Sequence, residues 1–166
     1  MSLPILHFLR KDEIKTNDTF GRWGNSDNLP PIPPVGYEDY AFLLHIIKSI
    51  NSQGRGACIL PNGVLFRGNE EEAVRRKIIE KRYIRGIISL PTNLFFGTGI
   101  PACIIIIDKA KTSTSKGIFM IDARSGFAKD GAKNRLREQD IRRVFDAWET
   151  LENLEANGNL DDCLLY

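Results

Sequence analysis

Two short segments of this chain hold the side chains that could do chemistry. One is Pro61-Asn62-Gly63, at the end of an apolar run; the other is residues 91–99, PTNLFFGTG, between two isoleucine-rich runs. Asn62 offers an amide that can line a pocket or close an Asx turn on Gly63, and the Asn-Gly pair favours the turn. Phe95 and Phe96 are adjacent aromatics whose default role is to pack a hairpin onto a sheet. Residues 97–102, GTGIPA, match the GxGxxA dinucleotide fingerprint. That fingerprint must open a helix whose N-terminus faces a pyrophosphate. Here Pro101 leads into Cys103-Ile104-Ile105-Ile106-Ile107, which is strand material, so Gly97 and Gly99 read as turn residues that use positive φ. GxSxG, Walker A and HExxH patterns are absent from the sequence. His7 and His45 have no carboxylate or cysteine at ligand spacing, and His45 reads as structural. No metal site is expected.

These segments must be positioned by regular elements. Tyr40, Leu43, Leu44, Ile47 and Ile50 recur at three- and four-residue spacing and predict a helix over about 38–53. Glu38 and Asp39 suit its positive end, and Gly54 stops it. Residues 57–61, ACILP, read as a strand buried on both faces. A second helix is expected over 70–82, with Asn69 and Glu72 at capping-box spacing, acidic Glu70, Glu71 and Glu72 at its start, and Lys81 and Arg82 at its end. Strands follow at 84–90 and 102–108, the latter apolar enough to be central, and a fourth at 118–123. Residues 124–134, RSGFAKDGAKN, read as a loop. The last helix carries Ile141, Val144, Phe145, Trp148 and Leu151 on one stripe and stops at Asn157-Gly158.

This order indicates an α/β fold. Strand 57–61, helix 70–82 and strand 84–90 form a βαβ unit, expected to hold its two strands parallel and adjacent. The link of about ten residues between 90 and 102 has no room for a crossover helix, so strand 102–108 must run antiparallel to strand 84–90. Open α/β sheets bind ligands beyond the carboxyl ends of their strands, which is where Asn62 and the 91–99 loop fall.

Composition excludes some classes. The chain has 166 residues, enough for one domain with a real core. A net charge of +2 does not by itself point to a nucleic-acid partner. The basic residues Arg75, Arg76, Lys77, Lys81, Arg82 and Arg85 could meet phosphate but read better as a solvated helix face, as do Arg135, Arg137, Arg142 and Arg143. Residues 30–34 read as a rigid connection before the first helix. Cys58, Cys103 and Cys163 are an odd set without CxxC spacing, which argues against disulfides and zinc and for buried free thiols. No apolar run approaches the roughly 20 residues that span a bilayer, and the start lacks a basic n-region and cleavage site. A cytoplasmic protein is expected.

The blocks LPNGVLFRGNEEEAVRRKI (60–78) and SLPTNLFFGTGIPACIIII (89–107) resemble the back half of an adenine-N6 DNA methyltransferase, specifically the modification (M) subunit of type I restriction–modification systems. YEDYAFLLHIIKSI (37–50) is similar to that family's helix after the catalytic loop, and IFMIDARSGF (118–127) to the strand after its hairpin. The resemblance implies the C-terminal half of a class I S-adenosylmethionine-dependent methyltransferase (Rossmann-like) sheet, with a terminal antiparallel hairpin and flanking helices. It divides the chain into an irregular segment 1–37, a partial methyltransferase domain 38–128 and a helical extension 129–166. It implies S-adenosylmethionine as cofactor, and DNA together with specificity and restriction subunits as partners.

It also implies that a target adenine is flipped from the duplex and needs an apolar surface to stack on. Asn62, Phe95, Phe96 and Thr98 are then the candidate target-base contacts. The catalytic Asn-Pro-Pro-Phe/Tyr of that family is missing, since Leu29 interrupts Asn28-Leu29-Pro30-Pro31, and so is its glycine-rich cofactor loop. The chain is therefore expected to be inactive alone. Strand 57–61 would lack its parallel neighbour, so residues 1–37 should fold over that edge or two copies should pair there. The alternatives are a non-catalytic interaction module that docks on a partner, and another Rossmann-like nucleotide enzyme, which the missing glycine loop disfavours.

Overall fold

The computed structural model of the chain describes residues 39–159. Asn28-Leu29-Pro30-Pro31, the 30–34 proline run, His7, Cys163 and any cover supplied by 1–37 lie outside the described residues. The first helix, α1, is Asp39–Ser49. Strand β1 (Arg55–Pro61) follows, then a single 3-10 turn at Asn62–Leu65 and helix α2 (Glu70–Glu80). Next come β2 (Ile84–Ser89), β3 (Ala102–Asp108) and β4 (Phe119–Asp122). A small hairpin, β5 (Ala128–Asp130) and β6 (Lys133–Arg135), leads into α3 (Glu138–Ala156).

The main sheet has the order β1-β3-β2-β4. Strand β3 is antiparallel to both β1 and β2, and β4 is parallel to β2. The expected reversal across the 90–102 link and the central place of β3 are both observed. The expected adjacency of β1 and β2 is not: they run parallel but β3 lies between them. A helix about 10 Å across spans two strand widths as readily as one, so the α2 crossover leaves a gap that the next strand fills.

Alternation of side chains gives the sheet two cores. On one face Leu60, Cys103, Ile105, Ile107, Ile84 and Ile87 meet Tyr40, Leu43, Leu44 and Ile47 of α1 and Val74 and Ile78 of α2. Tyr40 also donates a hydrogen bond of 2.6 Å to the Val64 carbonyl, tying α1 to the 3-10 turn. On the other face Ile88, Leu90 and Ala102 pack with Ile104, Ile106, Ile121 and Val144 of α3. That helix covers only part of this face. Ile59 of β1 is 54% exposed, so β1 is half-buried instead of buried on both sides, and among the described residues its outer edge pairs with no strand. The α3 stripe is likewise divided, with Ile141 and Phe145 outward.

The start of α2 is not a capping box. Asn69 has φ 56° and ψ −132°, which swings its side chain off the first turn, and it makes no side-chain cap bond. The other end closes by a Schellman motif: the amides of Arg82 and Tyr83 reach back to the carbonyls of Ile79 (2.8 Å) and Ile78 (3.4 Å). Arg82 takes the left-handed position, φ 56°, usually held by glycine. The same motif ends α3, with Gly158 at φ 77° in that place, where the sequence predicts the stop. The 124–134 segment, expected as a loop, folds into the β5–β6 hairpin because Gly131 (φ 60°) opens a two-residue turn.

The basic cluster does not form one solvated face. Arg75 donates to the carbonyls of Val64 and Arg67, both at 3.0 Å, while Arg76 pairs with Glu72 at 3.1 Å. Arg85 is buried. The pairing register shifts between Ile84 and Gly86, and Arg85 and Gly86 both meet α3. The Arg85 guanidinium makes a bidentate pair with Glu155, Nη1 to Oε1 at 2.8 Å and Nη2 to Oε2 at 2.5 Å, and lies 4.0 Å from the centroid of the Phe119 ring. Phe119 in turn meets Trp148 edge-on at 5.3 Å.

Two outcomes are expected. Arg82→Gly should stabilise the chain by about 0.5–1 kcal/mol, read by urea denaturation, because glycine adopts the left-handed cap without steric penalty. Glu155→Gln should destabilise it by about 3 kcal/mol at neutral pH, since a buried guanidinium loses its counter-charge. Hydrogen bonds from Arg85 hold the Glu155 carboxyl below the ordinary glutamate value of 4.5. Its contribution is thus complete above that value and is lost as pH falls through the lowered one. Unfolding midpoints of the parent should drop towards those of the variant below about pH 4.5, and the two curves should stay parallel above it.

Candidate functional site

Because β3 runs against both neighbours, its first residue lies at the carboxyl ends of β1 and β2. The Asn62 amide donates to the Pro101 carbonyl at 2.9 Å, and the Leu90 amide to the Ala102 carbonyl at 2.9 Å. These bonds bring the 3-10 turn after β1 and the 91–101 loop after β2 to one edge of the sheet. The structure therefore joins the two segments singled out from sequence.

Inside the loop, Pro91 is fully buried and Leu94 packs on the Ile88–Leu90 cluster, which anchors its first half. Asn93 (φ 55°) and Gly97 (φ 77°) supply the left-handed turns. Thr98 accepts the Ile100 amide on its Oγ1 at 3.1 Å, an ST-type turn. Phe95 is 37% exposed and Phe96 is 93% exposed, so Phe96 does not pack the loop onto the sheet. Phe66, Ile100 and Ile59 are also exposed. Asn62 makes no Asx turn: its Oδ1 is buried and finds no hydrogen-bond partner among the described residues. The 3-10 turn forms from backbone bonds instead, and Phe66 and Arg67 both donate to the Gly63 carbonyl, at 3.1 and 2.9 Å.

Two contributors escaped the sequence reading. Lys133 Nζ donates to the carbonyls of Phe95 (2.5 Å) and Thr98 (3.2 Å). Asn134 donates its amide to the Asn93 carbonyl (2.9 Å) and its Nδ2 to the Thr92 carbonyl (2.7 Å). The Asp130-Gly131 dipeptide was the one signal for the hairpin that carries them.

Asp122, Cys58 and Cys103 are poorly suited to proton transfer. Asp122 ends β4 and is held at about 2 by hydrogen bonds from the Arg124 side chain and backbone. Burial pushes the thiols of Cys58 and Cys103 up to about 11, which keeps them protonated and weakly nucleophilic. His45 sits on α1 and is half-buried. Among the described residues no three metal-ligating side chains cluster. Two clefts of about 340 and 310 Å3 are lined by Asn69 with Glu72 and Arg76 of α2, and by Arg55, Arg85, Lys111 and Glu152, and no residue of the 91–101 loop lines either. Both walls are mainly charged side chains, and no glycine-rich strand-to-helix turn lines them. The described residues thus do not make a fit for S-adenosylmethionine. What the edge offers is a bare aromatic ring on a braced loop.

The family model described as N-6 DNA Methylase matches residues 6–160 of this chain. The chain belongs to the N-6 DNA Methylase family. The methylase subunit of the type I restriction enzyme MjaVII from Methanocaldococcus jannaschii is 31% identical over 156 residues, 92% of this chain and 27% of that protein. The MjaIX methylase subunit of the same organism is 29% identical over 153 residues, again 27% of its length. The solved type I restriction–modification methyltransferase subunit from Streptococcus thermophilus superposes with a TM-score of 0.70 at 33% identity, covering 81% of this chain and 27% of that one. This N-6 DNA Methylase chain thus spans about a quarter of the length of its relatives, and its α/β fold is that of the C-terminal part of their methyltransferase domain.

No helix among the described residues is long and apolar enough to cross a membrane. At pH 8 and in the folded state, Cys58 and Cys103 should react with iodoacetamide far more slowly than in urea, as mapped by peptide mass. Equal rates would show that burial does not suppress their thiolates.

Proposed function

We propose that this chain is the C-terminal part of a type I restriction–modification methylase subunit whose complete form transfers a methyl group from S-adenosylmethionine to adenine N6 in DNA. The loop at 91–101 is then the wall of the target-base site, with Phe96 or Phe95 stacking on the flipped adenine, and Thr98 and Asn62 beside it. The observation that carries this reading is the exposure of Phe96, 93%, at the carboxyl edge of the parallel strands. Solvent exposure of an aromatic on a loop held by four hydrogen bonds has no packing rationale, whereas stacking on a base contributes about 1–3 kcal/mol. That gain offsets part of the few kcal/mol needed to unstack the base from the duplex. The buried Asn62 Oδ1, without a partner among the described residues, is an acceptor suited to an amino or hydroxyl donor.

The partners in this reading are DNA, a specificity subunit that reads the site, and a restriction subunit. The sequence holds no Asn-Pro-Pro-Phe/Tyr and no glycine-rich cofactor loop, so the 166 residues alone neither bind the cofactor tightly nor methylate DNA. A second reading, a non-catalytic module that docks on another chain, draws on the outer edge of β1, which pairs with no strand among the described residues, and on exposed Ile59, which also favour self-association.

Calorimetry of the purified chain with S-adenosylmethionine should show no binding in the micromolar range, and micromolar affinity would overturn the expected inactivity. In the complete methyltransferase carrying this segment, Phe96→Ala should lower kcat/KM for DNA by about tenfold to a hundredfold, as stacking energy requires, while Phe96→Trp retains it. Activity within twofold of the parent for Phe95→Ala, Phe96→Ala and the double variant would sink the stacking role.

A further inference from the structure

The 91–101 loop cannot hold an aromatic ring in solvent by its own packing. Its tip, Phe95 to Thr98, contains a left-handed glycine at 97 and an exposed phenylalanine at 96. The contacts that fix it come from outside, from two consecutive residues of β6. Lys133 Nζ bridges the carbonyls of Phe95 and Thr98, which flank Phe96-Gly97 on either side. Asn134 takes the carbonyls of Thr92 and Asn93 at the base of the loop. All four bonds are donated by the hairpin to the loop.

We infer that Lys133 and Asn134 are positioning residues for the aromatic tip, so that the β5–β6 hairpin sets where the Phe96 ring meets a target base. The inference rests on the reading of the 91–101 loop as a base-stacking wall. An ammonium shared between two carbonyls is a charge-assisted contact, stronger than a neutral one and tolerant of small rotations. Asn134 is 5% exposed, yet its Oδ1 has no partner among the described residues. A buried amide kept with half of its capacity idle is explained by what its other half does, which is to hold Thr92.

The hairpin is itself fixed. A Cβ at Gly126, just before β5, would lie 3.4 Å from the Asp140 Cβ, and Asp140, 3% exposed, accepts the Arg137 amide (3.0 Å) and the Arg137 Nε (2.8 Å) at the start of α3. The tip is therefore referenced to α3, and through Arg85–Glu155 to the sheet. Neither Lys133 nor Asn134 touches the base in this arrangement. Their effect passes through the backbone carbonyls of the loop.

The test has two arms. In the 166-residue chain, chymotrypsin should cut after Phe95 or Phe96 about tenfold faster in Lys133→Met and Asn134→Asp than in the parent, because cleavage follows the open population of the loop. Lys133→Arg, which keeps the donors, should restore the parental rate. Equal rates in all four proteins overturn the brace.

In the complete methyltransferase, 2-aminopurine at the target position should lose most of its fluorescence response with Lys133→Met and recover it with Lys133→Arg, while overall DNA affinity stays within about twofold. Faster cleavage with an unchanged fluorescence response overturns the positioning role. Phe96→Ala separates the two readings. If it abolishes the response while Lys133→Met leaves it intact, the positioning inference alone fails; if both leave it intact, the stacking reading fails and takes the inference with it.

Discussion

The pairing of β3 with a strand on each side is the constraint from which the site follows. An antiparallel strand between two parallel ones must begin where they end. Ala102 is thereby fixed beside Leu90 and Pro61, and everything between Ser89 and Ala102 has to leave and re-enter the sheet at one edge. The register from Arg55↔Asp108 to Pro61↔Ala102 is unbroken, so the Asn62 turn cannot slide away from the loop without turning β3's side chains to the wrong faces. Cys103, Ile105 and Ile107 would then leave the α1–α2 core, which buries Leu43, Val74 and Ile78 completely.

A second layer of interactions converts that edge into a defined surface. Helix α3 crosses the β2–β4 side of the sheet and is fastened towards both ends: Val144 packs on the Ile88, Leu90 and Ala102 cluster, and Glu155 near its finish pairs with Arg85. Between the fastenings Trp148 lies so close to Gly86 that a Cβ there would come within 2.5 Å of its ring. Glycine at 86 is thus a requirement of helix–sheet distance. The hairpin before α3 inherits its position from these contacts and lends it to the aromatic loop. Ion pairs add to apolar packing here, and the Phe96 ring is left bare.

Much of this was legible in the residues. The run of isoleucines from 104 to 107 marked β3 as central, and the short proline- and glycine-bearing link marked the reversal. The insertion of β3 between β1 and β2 was not legible, because a helical crossover is compatible with a gap of one strand. Arg85 looked like another surface cation, since a charge in a strand gives no sign that a glutamate 70 residues later will neutralise it. The cap at Arg82 had no glycine to announce it. The hairpin strands are three residues each and mostly charged, too short for alternation to register, so Lys133 and Asn134 stayed hidden inside an apparent loop. Phe96 could be recognised as chemistry-bearing, but its exposure depends on carbonyl contacts that side-chain pattern does not encode.

The 70-residue interval between Arg85 and Glu155 also orders events during synthesis. At about 5–20 residues per second, β2 leaves the ribosome several seconds before its counter-ion is made. Until Glu155 is present, burying the Arg85 guanidinium would cost the desolvation of an unpaired charge. Only the arrival of the final helix neutralises the charge and lets Phe119 and Trp148 close over it. Closure of this face therefore depends on the last helix, because without Glu155 a buried Arg85 would carry an uncompensated charge.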